Sequence, residues 1–425
     1  MNDLFDKMKK DAGPLGLHLK RAHGYFAFPK LEGELGNRMI FRGKEKIVWS
    51  LNNYLGMVNH PIARKIDGES AQKYGLGNPM GSRMMSGNTA LHEELERVLA
   101  DFVSREDAMV LNFGYQGVMS CIDALVSRHD VIVYDAQAHA CLVDGVRLHI
   151  GYSYTYKHND ITDCEKQLKR ATAMAQKTGG GILVITEGVY GMSGTQGKLR
   201  EIVALKNKYD FRLLIDDAHG FGSMGPNGAG TDEAQDCQED VDLYFSTFVK
   251  SMGSIGAFIA GPQDVINYLR YNVRSQIYAK SLPIAVVDGM LTRMEMLKNL
   301  PELREKLWHI VNRLQNGLRE KGFDIGATNS PVTPIYMKGG LPEATNMVMD
   351  IRENYNIFCS VVVYPVIPKG EIIFRIIPTA AHTDEDVDLT LKAFEETKKK
   401  LDNGDYKADE IPDMSEAGYL HKTVA

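Results

Sequence analysis

Six short apolar runs, separated by helix-length stretches, constrain this chain more than any other feature. They are Ala108 to Phe113, Val131 to Tyr134, Gly181 to Thr186, Arg212 to Ile215, Val241 to Phe245 and Ala257 to Ala260. Runs this short suit strands buried on both faces, and the segments between them have the length of helices. The pattern predicts an α/β fold with a mostly parallel central sheet, followed by a smaller C-terminal α+β domain. In such sheets, binding groups gather at the carboxyl ends of the strands. With 425 residues, 44% of them hydrophobic, the chain has apolar material for a large core and a second, smaller one.

The expected organisation has four parts. Residues 1–60 form an N-terminal arm and small hairpin, 61–290 the large domain, 291–401 the small domain and 402–425 a polar tail. Residues 1–28 mix basic and apolar positions (Leu4, Phe5, Met8, Leu15, Leu17, Leu19). Such an amphipathic arm suits packing on a partner subunit or transient contact with a membrane. Met39 to Leu51 reads as a hairpin around Gly43-Lys44. Leu91, Leu95, Val98, Leu99 and Phe102 share one helical face, and Thr89 can cap that helix. A long helical stretch runs from Ile284 to Gly322. Beyond it, Pro334 to Tyr336, Ile357 to Cys359 and Ile372 to Arg375 read as strands, and Thr383 to Leu401 as a helix with an acidic start and a basic end.

Composition narrows the function classes. The formal net charge is -6 and charged residues make up 24%, which gives no nucleic-acid footprint. The five cysteines, Cys121, Cys141, Cys164, Cys237 and Cys359, are widely spaced and odd in number. They read as reduced thiols, not a disulfide frame or a metal site. The N-terminus lacks the apolar core of a signal peptide, and no apolar run approaches the roughly 18 residues of a membrane span. The expectation is a cytoplasmic protein.

The chemistry-bearing residues follow the apolar runs. Asp216 and His219 lie in Asp216-Asp217-Ala218-His219-Gly220, after Leu213-Leu214-Ile215, and Lys250 lies in Thr247-Phe248-Val249-Lys250-Ser251. A carboxylate, a histidine and a lysine at strand ends are the parts needed to hold pyridoxal 5'-phosphate (PLP). The lysine forms a Schiff base, and the carboxylate keeps the pyridine nitrogen protonated so that the ring accepts electrons. The turn Asn112 to Gly117 offers glycines and a helix N-terminus to a phosphate, through Gly114 and Tyr115, with the Thr247 hydroxyl beside them. His139, just past the Val131 to Tyr134 run, suits stacking on the ring. Arg375, a charge inside an apolar strand, suits a substrate carboxylate.

These residues resemble the α-oxoamine synthases, PLP enzymes of fold type I (aspartate aminotransferase-like). The resemblance covers about residues 45 to 395. It includes Asn52-Asn53-Tyr54-Leu55-Gly56, Gly81-Ser82-Arg83 through Ser86-Gly87, Leu91 to Glu96, His139, Asp216 to Gly220, Thr247 to Gly253 and Ala380 to Thr383. It implies a homodimer with shared active sites. The reaction it implies is decarboxylative condensation of a small amino acid with an acyl thioester. It also implies roles: Lys250 for the Schiff base, Asp216 for the pyridine nitrogen, His219 for the phenolic oxygen and His139 for stacking. Gly114, Tyr115 and Thr247 hold phosphate, Asn53 and Arg375 hold substrate, and Ser281, in a strip crossing to the neighbouring site, adds a phosphate contact.

Within the family, Thr247-Phe248-x-Lys250-Ser251-x-Gly253 is more similar to the serine-using, long-chain acyl branch than to the glycine or alanine enzymes. Where the family often has a Ser-Met-Asp/Glu-Gly-Asp run, this chain has Gly191-Met192-Ser193-Gly194-Thr195. Loss of two carboxylates suits a substrate with an extra anion, such as cysteate, the sulfonate analogue of serine. Tyr74 through Gly87 and Val363 to Pro368 are also similar to bacterial enzymes that acylate cysteate in sulfonolipid synthesis. Cysteate is the favoured substrate and serine the alternative, with acyl carrier protein or coenzyme A carrying the fatty acyl thioester. Lys7, Lys9, Lys10, Lys20 and Arg21 offer a basic patch to an acidic carrier. An aminotransferase, an aldolase and a silent partner subunit are the competing classes.

Overall fold

The computed structural model describes residues 3–6, 8 and 19–414. Near the N-terminus, β1 (Leu31–Glu32), β2 (Arg38–Phe41) and β3 (Lys44–Val48) form an antiparallel ribbon. Phe41 pairs with Lys44, so the expected hairpin turns at Arg42 and Gly43.

One compact unit spans Asn52–Leu307. Its sheet has seven strands: β4 (Asp107–Leu111), β5 (Val131–Asp135), β6 (Tyr152–Tyr156), β7 (Ile182–Glu187), β8 (Arg212–Asp216), β9 (Leu243–Thr247) and β10 (Ala257–Gly261). Their order is β4-β10-β9-β8-β7-β5-β6. Strand β10 runs antiparallel to both neighbours and the other pairings are parallel. Helices α1 (Pro61–Tyr74), α2 (Ala90–Phe102), α3 (Gly114–Leu125), α4 (Ala140–Leu148) and α5 (Ile161–Thr178) alternate with the early strands. Thr89 caps α2 as expected, its hydroxyl accepting from His92 N at 3.4 Å. Ile122, Leu142, Ile185, Leu214 and Ile259 are fully buried and pack in one cluster that knits helices to sheet.

Strand β6 has no counterpart among the apolar runs. It is an edge strand with the sequence Tyr-Ser-Tyr-Thr-Tyr and is mostly solvent-facing, so β-prone aromatic and β-branched residues replace a buried run. The expected helix from Ile284 to Gly322 is two helices, α6 (Ile284–Asn299) and α7 (Pro301–Glu320). Pro301 has no N–H to continue the first, but it starts the second well.

The other unit joins Met1–Leu51 to Trp308–Ala425, a boundary different from the expected 60/61 and 290/291 divisions. The physical reason is strand pairing. β3 pairs in parallel with β12 (Ile357–Phe358), Ile47 opposite Ile357 and Val48 opposite Phe358. β11 (Thr333–Tyr336), β13 (Ser360–Val362) and β14 (Ile373–Ile376) make a separate three-stranded sheet in the order β11-β14-β13. Helices α8 (Leu341–Asn354) and α9 (Asp384–Asn403) complete the unit. Thr383 and Asp386 exchange hydrogen bonds in a capping box, and the acidic first turn of α9 favours the helix dipole. The start of the tail returns to Arg21, which pairs with Glu410 at 2.7 Å and accepts from Met414 N at 2.9 Å. Arg21 of the basic patch is thus engaged by the chain itself. Lys7, Lys9, Lys10, the Lys20 side chain and residues 415–425 lie outside the described residues. No described helix is long and apolar enough to cross a membrane.

Candidate active site

Parallel pairing of β5, β7, β8 and β9 brings their carboxyl ends to one edge of the sheet. Asp135, Glu187, Asp216 and Thr247 are the last residues of those strands. Asp216 is 5% exposed and accepts a hydrogen bond from Ala218 N at 3.0 Å. The Cys141 thiol lies 3.9 Å from its other oxygen. Burial raises the Asp216 pKa, and the charges of Lys250 and His139 oppose the rise. Lys250, half-buried in the β9–β10 turn, thus acts electrostatically on the expected pyridine partner. Asp217 turns the other way. Its carboxylate accepts from Thr231 N and Oγ1 at 2.7 and 2.6 Å and from the Tyr244 hydroxyl at 2.9 Å.

His139 is the N-cap of α4. Its Nδ1 accepts from Cys141 N at 3.2 Å, with Cys141 Sγ 2.9 Å away, so the neutral ring carries its proton on Nε2. His219 is 7% exposed and its Nδ1 shares a hydrogen bond with the buried Tyr54 hydroxyl at 2.7 Å. Gly191 presses its backbone against the other edge of that ring. A Cβ there would meet His219 Nε2 at 2.3 Å, so no side chain fits without a shift. The neutral run Gly191 to Thr195 therefore borders the site. Ser193 Oγ contacts Thr195 Oγ1 at 2.9 Å, and Thr195 Oγ1 contacts His158 Nε2 at 2.9 Å. His158 Nδ1 meets buried Asp135 at 3.0 Å.

The residues expected to hold phosphate lie at the start of α3 and the end of β9. Gly114 is the first residue of α3, and a Cβ on it would sit 3.2 Å from Thr247 Oγ1, so glycine lets the helix N-terminus close on the threonine. Thr247 donates to Gly256 O at 2.9 Å. The half-exposed Tyr115 donates its hydroxyl to Asp144.

Three further expected residues lie on other segments. Ser281 is 3% exposed, and its hydroxyl reaches Gly87 O at 2.8 Å and Gly81 O at 3.0 Å, so within one protomer it ties two loops together. Asn53 is buried and accepts from Val58 N at 3.3 Å through its side chain. Arg375, 9% exposed, sits in β14 of the other unit, opposite Pro334 and Ser360.

Sequence reasoning singled out none of Glu187, Cys141 or Tyr54 for the site. Glu187 Oε1 accepts the His139 N–H at 2.5 Å. The available signal was the one used for Asp216, an acid directly after a buried run. Tyr54 lay inside the Asn52 to Gly56 segment, one residue from Asn53.

PLP fits this donor set on the structure's own terms. The buried Asp216, under the opposing influence of Lys250, suits a cationic ring nitrogen, and the Gly114 helix start suits a phosphate. The class I and II aminotransferase family matches residues 44–394. Cysteate-C-fatty acyltransferase of Capnocytophaga ochracea is 60% identical, covering 96% of this chain and 97% of that protein. Serine palmitoyltransferase of Bacteriovorax stolpii is 34% identical, covering 89% of this chain and 88% of that protein. The solved S. paucimobilis serine palmitoyltransferase, with a bound PLP–myriocin aldimine, has a TM-score of 0.86 at 28% identity, covering 95% of this chain and 100% of that one. The chain belongs to the class I and II aminotransferase family, as an acyltransferase among the PLP-dependent α-oxoamine synthases.

Proposed function

We propose that this enzyme condenses L-cysteate with a long-chain fatty acyl thioester, with loss of carbon dioxide and release of the carrier thiol, to give the 3-keto sulfonate amine that begins a sulfonolipid. The observation that carries the reading is the 60% identity to a cysteate-C-fatty acyltransferase over nearly the full length of both chains. The neutral run Gly191 to Thr195, which meets His219 at Gly191, supports it, because carboxylates fixed near the substrate would repel a sulfonate.

Bound PLP supplies an electron-accepting ring that stabilises a carbanion at the amino acid Cα. The chain's residues supply the rest. Lys250 Nζ would anchor the cofactor and, as a free amine, would take the Cα proton of the substrate. Asp216 would hold the ring nitrogen, His219 the phenolic oxygen and His139 the ring face. The Gly114 and Tyr115 helix start, Thr247 and the partner's copy of Ser281 would hold phosphate. Asn53 and Arg375 are assigned to the amino acid. Positioning of the Cα bonds against the ring selects which bond breaks.

A homodimer is part of this proposal. Met80, Met85, Phe113, Val249 and Tyr278 are large apolar side chains, each more than half exposed in one protomer. The loop at residues 78–81 and the 278–284 strip are joined by Ser281 N to Gly81 O at 3.0 Å and Ile284 N to Asn78 O at 2.9 Å. A second copy covering them removes that apolar area from water.

The test is to incubate purified, PLP-loaded protein with palmitoyl thioester, on coenzyme A or acyl carrier protein, and cysteate, serine, glycine or alanine in turn. Mass spectrometry then identifies the ketoamine. Product mainly from cysteate is the expected result. Product mainly from serine replaces the reading with serine palmitoyltransferase activity.

A further inference from the structure

We propose that Glu187 is a positioning residue for His139 and that it works as the neutral carboxylic acid. The inference rests on the PLP reading of the site and goes beyond it. Glu187 ends β7, between β5, which leads into His139, and β8, which ends on Asp216. The strand register sets Glu187 directly beside Asp216, and both are 5% exposed. Glu187 Oε1 accepts the backbone N–H of His139 at 2.5 Å, which fixes the N-cap residue of α4 and so the root of the imidazole. No Lys or Arg among the described residues forms an ion pair with it.

Two carboxyl groups side by side in a buried strand pair do not both stay charged. Like charges held side by side at low dielectric repel strongly. Asp216, Lys250, Asp135, Tyr190, Cys141 and the His139 backbone act on or near Glu187. Asp216 is the better placed of the two acids to hold a charge, with Lys250, His139, Ala218 N–H and the Cys141 thiol all favouring it. Burial, and then Asp216, push the Glu187 carboxyl well above the usual carboxylate range. One shared proton therefore rests on Glu187. Its carbonyl oxygen still accepts from His139, and Asp216 keeps the negative charge that suits a pyridine N–H.

The test uses the full-length protein with and without PLP. In cofactor-free protein labelled with 13C-glutamate, the infrared spectrum near neutral pH is expected to contain a protonated-carboxyl band that shifts with the label. That band is expected to be missing from Glu187→Gln, and the label separates it from any aspartic acid. Glu187→Ala is expected to raise the PLP Kd and lower kcat/KM by about tenfold or more, with Glu187→Gln returning both to within about threefold of wild type. A missing labelled band, or a glutamine variant as impaired as the alanine variant, overturns the proposal by showing that the anion is needed. A folded alanine variant equal to wild type overturns it by showing no positioning. Should Glu187→Ala not fold, the labelled band and the glutamine variant still decide. If wild type condenses no amino acid at all, the proposed function falls, while the band and the PLP Kd continue to judge Glu187.

Discussion

The Asp216 strand end of the large unit and the buried cations of the smaller unit both hold charge away from water, but the cations meet more partners within the fold. In the smaller unit, Lys46 and Arg352 are each 1% exposed. Lys46 Nζ donates to Arg352 O at 2.5 Å and to Asn356 Oδ1 at 3.0 Å. Arg352 donates to Tyr25 O at 2.6 Å and Cys359 O at 2.8 Å, and its guanidinium lies 4.1 Å from the Phe358 ring centre. Carbonyl oxygens and ring faces thus meet most of these donors where they are, the buried Arg352 Nε being the exception among the described residues. Asp216 is served by one backbone N–H and a thiol at 3.9 Å, and burial raises its pKa. Buried charge that the fold largely meets ties distant segments together. Buried charge left under-compensated at a strand edge marks a place for chemistry.

Removing a charged group of the active site should abolish function with little effect on folding. Lys250→Ala is expected to lower ketoamine formation by on the order of a thousandfold or more, since both the anchoring amine and the base are lost. The visible absorbance of bound cofactor should disappear with it, and circular dichroism should stay unchanged. A variant with wild-type turnover would remove Lys250 from the proposed mechanism.

A pH titration sharpens the contrast. Asp217 is buried beside Asp232, and its pKa is raised to about 7. An acid raised in the folded state keeps a proton that the unfolded chain has already released. Stability is therefore fullest below the unfolded carboxylate pKa, falls as pH rises, and levels off above about 7. The fall amounts to roughly 4 kcal/mol. Thermal midpoints should decline across that window in wild type. Asp217→Asn should flatten the decline, at the cost of acceptor bonds to Thr231 and Tyr244. An unchanged slope would show that Asp217 is ionised in the fold.

Arg352→Met tests the charge of the smaller unit. Leaving Tyr25 O and Cys359 O without donors is expected to cost about 2–4 kcal/mol, read from denaturant unfolding. The PLP Kd of the folded fraction should not move. A change in cofactor affinity comparable to the stability loss would erase the distinction between the two regions.

The smallest effect concerns substrate choice. Ser193→Asp with Thr195→Asp is expected to shift the ratio of kcat/KM for cysteate over serine by about tenfold toward serine, or ~1.4 kcal/mol. An unaltered ratio would mean that this run has no part in selecting the substrate.

Much of the large unit was legible because burial leaves a local trace. Asp216, His219, His139 and Lys250 each follow an apolar run, and those runs became β8, β5 and β9. Glu187 follows one too, but its importance lies in its neighbours. Nothing near it in the chain says that it meets the His139 N–H, 48 residues away. Strand β6 carries no apolar run because one side of it has no neighbouring strand. Ile357 and Phe358 read correctly as a strand, while their partner β3 lies more than 300 residues earlier, so the sequence pattern could not assign them to a sheet.

Period, polarity and turn chemistry are properties of a few adjacent residues. For that reason the sequence by itself determined the alternating strands and helices, the residues at strand ends and the chemistry those residues can support. Which strand ends face one another is a matter of sheet order and register, set by hydrogen bonds between distant segments. Only the tertiary structure decided that Glu187 stands beside Asp216, that Gly191 lies against His219, and that the N-terminal ribbon joins the C-terminal unit.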